Sequence, residues 1–130
     1  IVGTIAAPFA NMFYKGMRLI ATYTDYRLLS TMKRSMKEFE EGKDIIIYPE
    51  DSSNGYKEKL EYLHPGFASF CEMLYQKGKD VPIYVTYLNK RKNLFIVSER
   101  MHYSELKEKY GSFEEIAEQM RLLLNSLMDK

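Results

Sequence analysis

The sequence carries a single cysteine, Cys71, no tryptophan, and only two histidines, His64 and His102. One cysteine rules out an internal disulfide and any multi-cysteine metal centre, and the two histidines do not stand at metal-ligand spacing. No apolar run approaches the roughly 18–20 residues that a membrane-spanning helix needs. The apolar stretch over residues 1–14 lacks a basic leading region, so it does not read as a signal peptide. Neither sign of charge is in excess, with 19 basic against 18 acidic residues, which removes the overall field that draws a protein to nucleic acid. A P-loop, a G-x-G-x-x-G turn and a G-x-S-x-G elbow are all missing, and with them the usual sequence marks of nucleotide binding and serine hydrolysis.

What is present fits one domain. A chain of 130 residues can bury roughly two-thirds of the surface it exposes when unfolded. Basic residues gather locally at Lys33-Arg34-Lys37, at Lys57-Lys59 and at Lys90-Arg91-Lys92; each group reads either as a solvated face or as a contact for an anionic ligand or membrane surface. The chain opens on Ile1 inside an apolar run, and the expectation is that its upstream part is missing.

Periodicity orders the rest. Residues 4–15 place Ile5, Phe9, Met12 and Phe13 at helical spacing, with Pro8 fitting either a helix start or a break, and residues 18–23 form a short β-type run. Asp25 can cap a helix whose apolar positions are Leu28, Leu29, Met32, Met36 and Phe39, closed by Gly42. Residues 44–49 follow, and the unbroken Ile45-Ile46-Ile47-Tyr48 predicts a strand buried on both faces, stopped by Pro49. Residues 51–55 are turn chemistry. Pro65 opens a helix carrying Phe67, Phe70, Cys71 and Leu74 inward until Gly78, which makes Cys71 a core residue. Residues 81–88 and 93–99 read as an antiparallel hairpin across the basic turn 89–92. A short helix over 104–110 and a longer one behind Ser112 and Glu115 complete the chain. Helices alternating with strands predict an α/β layered domain, with a central, mostly parallel (mixed) sheet flanked by helices.

In such sheets ligands bind outside the carboxyl ends of the strands, where Glu50 and its loop fall. A carboxylate there can hold a hydroxyl, orient a cation or act as a base; equally, it can tie down its own loop by accepting backbone N–H bonds. Ser52 and Ser53 read as turn serines, His64 as a residue bonding backbone at a helix start, and His102 as structural.

The run IIIYPEDSSNGY, then LHPGFASFC, then VPIYVTYL resembles the glycerolipid acyltransferase family. Members carry an apolar strand ending in [FY]-P-E-G-T-R-S, then a glycine step into a helix, then a V-P-[IV] strand. Tyr48-Pro49-Glu50 matches the first, Pro65-Gly66-Phe67 the second and Val81-Pro82-Ile83 the third, over residues 16–99. The resemblance implies transfer of a fatty acyl group from acyl-CoA or acyl-carrier protein to a lysophospholipid or glycerol-phosphate hydroxyl. It also implies no cofactor beyond that thioester co-substrate, no nucleic acid, and a cytoplasmic, peripheral contact with membrane. Glu50, Asp51, Ser52 and Ser53 would line the acceptor site.

Two departures accompany it. The family's H-x-x-x-x-D motif, whose histidine takes the acceptor proton, is absent: five residues after His64 stands Ser69, and five after His102 stands Lys107. Asp51 replaces the signature glycine and Ser53 its arginine, so a phosphate-binding cation would come from Lys57 or Lys59, or from Arg18 or Arg27. The alternative is a catalytically degenerate lipid- or protein-binding module.

Overall fold

The computed structural model describes residues 25–51, 53, 55, 57 and 59–129, together with Gly16 and Ile20. The helix expected over residues 4–15 and the run over 18–23, Ile20 apart, lie outside the described residues. The chain divides into two compact units, Ile1–Ile45 and Ile46–Lys130.

The first unit contains helix α1, Leu28–Glu40, with Met32, Ser35 and Met36 buried. Asp25, expected as its cap, instead accepts the Arg27 backbone N–H at 2.9 Å in the turn ahead of it, and Arg27 stands at the cap with no side-chain hydrogen bond. Leu29, expected inside, is exposed. Gly42 ends the helix at φ 84°, a left-handed conformation costly for any residue with a Cβ. There its N–H reaches Phe39 O at 2.9 Å and the Lys43 N–H reaches Glu38 O at 3.2 Å, satisfying carbonyls that the helix leaves open.

In the second unit the elements run α2 (Gly66–Gln76), β1 (Pro82–Ile83), β2 (Thr86–Asn89), β3 (Leu94–Val97), β4 (Met101–His102), α3 (Tyr103–Tyr110) and α4 (Phe113–Met128). The helices fall where hydrophobic spacing and caps placed them. Ser112 Oγ accepts the Glu115 N–H at 3.2 Å at the start of α4. Their inward stripes make the core: Ala68, Phe70, Cys71 and Leu74 from α2, Tyr103 and Leu106 from α3, and Ile116, Ala117, Met120 and Leu127 from α4. Helix α2 packs on α3 and α4, and α4 also backs the β2 strand. Each of the larger apolar side chains, such as Phe70, Leu74, Ile116 and Met120, contributes roughly 1.5–3 kcal/mol by leaving water.

The sheets overturn the expected architecture. There is no central, mostly parallel sheet: β1 pairs antiparallel with β4, and β2 antiparallel with β3, as two separate two-stranded sheets. The reason lies in the connections, because a parallel pair needs a crossover of a dozen or more residues, whereas β1 and β2 are separated only by Tyr84-Val85. The expected hairpin is present in β2–β3, with Leu88 opposite Phe95. Its turn is set by Asn89 Oδ1, which accepts the Lys92 N–H at 3.0 Å, and by Asn93 at φ 51°. The strand expected over residues 81–88 is divided, its first part serving β4 and its second β3.

The buried strand expected over residues 44–49 is likewise corrected. These residues form no strand, and Ile46 and Tyr48 are 76% and 79% exposed. A strand is defined by the neighbour that takes its N–H and C=O groups, and in this run such a neighbour is met only at its end, where Pro49 O accepts the His64 N–H beside an isolated antiparallel bridge between Glu50 and Leu63. Among the described residues no helix is long and apolar enough to cross a membrane.

Candidate functional site

The loop that leaves Glu50 returns to it. Glu50 and Leu63 form the bridge at its base, and the His64 N–H donates to Pro49 O at 2.8 Å beside it. The chain leaving Glu50 is therefore brought back to it at Leu63, the closed-end arrangement in which binding residues are often carried. Glu50 stands half-buried at this neck, at the mouth of a loop and not at the end of a sheet strand.

The loop is held from α4. Asn125 grips the Leu60 backbone with both ends of its amide: Oδ1 accepts the Leu60 N–H at 2.9 Å and Nδ2 donates to Leu60 O at 2.9 Å. Arg121 Nη1 donates to the same carbonyl at 2.8 Å while its guanidinium pairs with Glu118 at 2.6 Å. Residues 121 and 125 are neighbours on one helix face, so α4 offers one polar clamp in an otherwise apolar stripe. Lys59 reaches Asp129, just beyond α4, at 3.2 Å.

Within the loop, Asp51 Oδ1 accepts the Ser53 backbone N–H at 2.9 Å, the Asx geometry that builds tight turns. The Ser53 hydroxyl and N–H hold the Asp51 carboxyl below the usual carboxylate range, and the charges of His64 and Lys57 add to this. Asp51 is thus an anion at neutral pH where the resembled signature has glycine. Lys57 pairs with Glu61, four residues on. The structure brings Glu50, Asp51, Ser53, Lys57 and Lys59 onto one closed loop. Ser52 and Arg18 lie outside the described residues. Arg27 pairs with Asp25 at 2.8 Å in the other unit.

Both histidines stand beside side chains that sequence spacing does not announce. The His64 ring meets Tyr62 edge-on, centroids 5.0 Å apart. His102 faces Asp80, with Nδ1 3.7 Å from Oδ2, because the β1–β4 pairing sets Pro82 opposite His102. Asp80 also accepts the Ser104 N–H at 3.0 Å and the Ser104 hydroxyl at 2.6 Å. The Ser104 hydroxyl foremost, with the charge of His102, lowers its pKa. It is an anion at the first turn of α3, where the helix dipole favours one.

The residues that sequence reasoning missed are Arg121 and Asn125. A signal was present, since both are polar positions beside the apolar run Leu122-Leu123-Leu124 on a helix that must bury one face. Among the described residues no group of His, Cys, Asp or Glu is arranged to hold a metal ion. Cys71 is buried, and burial pushes its thiol up to about 12, so it stays protonated and unreactive. The loop can accept a hydrogen bond from a hydroxyl through its carboxylates and can meet an anion through Lys57 and Lys59.

The chain matches no protein-family model, no curated protein and no solved structure.

Proposed function

We propose that this chain is the acceptor-binding part of a glycerolipid acyltransferase that works peripherally at the cytoplasmic face of a membrane. The observation that carries the reading is the order of three motifs, Tyr48-Pro49-Glu50, Pro65-Gly66-Phe67 and Val81-Pro82-Ile83, with a closed polar loop joining the first two. The third motif falls on the two-residue strand β1, paired antiparallel with β4 and not set in a central parallel sheet.

On this reading the acceptor hydroxyl donates a hydrogen bond to Glu50. The headgroup phosphate draws Lys57 and Lys59 from Glu61 and Asp129; such exposed ion pairs contribute little to stability, so the exchange costs little. Asp51 repels a phosphate at the turn and directs it toward the lysines. The acceptor oxygen then bonds the thioester carbonyl carbon, the C–S bond breaks, the thiol leaves, and the hydroxyl proton passes to a base outside these 130 residues. The second reading, a lipid- or protein-binding module without turnover, is favoured by the missing H-x-x-x-x-D and by Asp51 in place of glycine.

Titration of the chain with monomeric lysophosphatidic acid, followed by amide chemical shifts, tests the acceptor loop. The expected result is saturable movement of the Asp51, Ser53 and Leu60 amides that Glu50→Ala removes. Shifts elsewhere only, or shifts indifferent to Glu50→Ala, would contradict it.

A further inference from the structure

The β2–β3 hairpin half-buries one face, Leu94 at its end excepted, and leaves the other open. Tyr87 and Ile96 lie opposite each other and are half-buried, on the strand that α4 backs. The opposite face carries Thr86, Leu88, Phe95 and Val97, with Leu88 52% and Phe95 65% exposed. Tyr84, just before β2, is exposed as well. The turn at its tip is Lys90-Arg91-Lys92, all exposed, and between Asp80 and Glu99 the chain has no acidic residue. Isolated exposed apolar residues are ordinary, but a contiguous apolar face rimmed by charge of one sign marks a binding surface.

We propose that this hairpin docks on an anionic lipid bilayer, Leu88, Phe95 and Val97 entering the interface while Lys90 and Arg91 meet the headgroups. Charge complementarity selects this occupant: aromatic and aliphatic side chains settle at the headgroup level, and each cation beside an anionic leaflet favours the bound state about fivefold. The proposal rests on the peripheral membrane contact of the acyltransferase reading and names its surface, yet needs neither Glu50 nor turnover, so the two can fail separately.

Flotation of the chain with lysolipid-free vesicles of phosphatidylcholine, with and without phosphatidylglycerol, tests it. Binding should require phosphatidylglycerol and weaken as salt is raised. The pair Lys90→Glu and Arg91→Glu should lower partitioning more than about tenfold, and Leu88→Ser with Phe95→Ser by about tenfold or more. All four side chains are exposed, and circular dichroism should show each variant folded like the parent. Equal binding to neutral vesicles would overturn the proposal, as would binding untouched by the hairpin variants. Absence of vesicle binding, with self-association that Leu88→Ser and Phe95→Ser abolish, would assign the face to a second copy of the chain and also overturn it.

Discussion

Replacing Asn125 with alanine should release the loop without unfolding the helices. The Asn125 amide makes two hydrogen bonds to the Leu60 backbone, both at 2.9 Å. A neutral hydrogen bond contributes about 1 kcal/mol net, so removing both costs up to about 2 kcal/mol. Arg121 still donates to Leu60 O, which leaves the Leu60 N–H as the one group returned to water and sets the lower bound near about 1 kcal/mol. The loss falls on local docking, because Leu60 is only half-buried and the core side chains of α4 keep their contacts. Local opening should therefore rise about 5- to 30-fold, read as faster hydrogen exchange at the Leu60 amide. The Met120 amide, inside α4, should keep most of its protection. Asn125→Asp retains the acceptor and loses the donor, and should give an intermediate rate. Unchanged protection at Leu60 in Asn125→Ala would refute the clamp. An equal fall in protection throughout α4 would show instead that Asn125 supports the whole unit.

Other consequences can be checked in the core and its edge. Glu72 accepts the Tyr103 hydroxyl at 2.9 Å and Lys107 Nζ at 2.9 Å, and Lys107, then Tyr103, hold its carboxyl below the ordinary value of 4.5. The unfolded chain thus takes up this proton at higher pH than the folded one, so the stabilisation is complete above the ordinary value and is lost as pH falls through the folded one. Urea unfolding followed from neutral to acid pH should show that loss, and Glu72→Gln should flatten it. Leu74, 1% exposed at the centre of α2, should cost about 2–5 kcal/mol when cut to alanine, seen as a large fall in the urea midpoint. Cys71, buried with its thiol raised to about 12, should resist thiol reagents in the native protein at neutral pH and react fully once denatured.

The helices and the hairpin were readable from the sequence because their signals are local. Met32 and Met36 recur at helical spacing ahead of Gly42, Ser112 caps Glu115, and the turn at Asn89 supplies its own side-chain acceptor. The run Ile45-Ile46-Ile47-Tyr48 misled because apolar character indicates a strand only when a partner takes its backbone groups, and that partner is a tertiary fact. The same holds for the site. Glu50 and its polar loop could be singled out from composition, but the closure onto Leu63 could not. Nor could the grip of Asn125 on Leu60, which acts on a backbone that carries no side-chain pattern. Asp80 and His102 stand far apart in sequence and meet only through the β1–β4 pairing.

Glu50 and its closed loop are proposed to hold the acceptor of an acyl transfer. The most direct measurement follows labelled acyl groups passing from acyl-CoA to lysophosphatidic acid in the protein expressed from its natural reading frame, with and without Glu50→Ala. Transfer by the parent and a loss of about 100-fold or more in the variant are expected, the range in which a group that positions a reacting hydroxyl counts. A parent inactive across acyl-CoA and acyl-carrier-protein donors, or a variant as active as the parent, would contradict it.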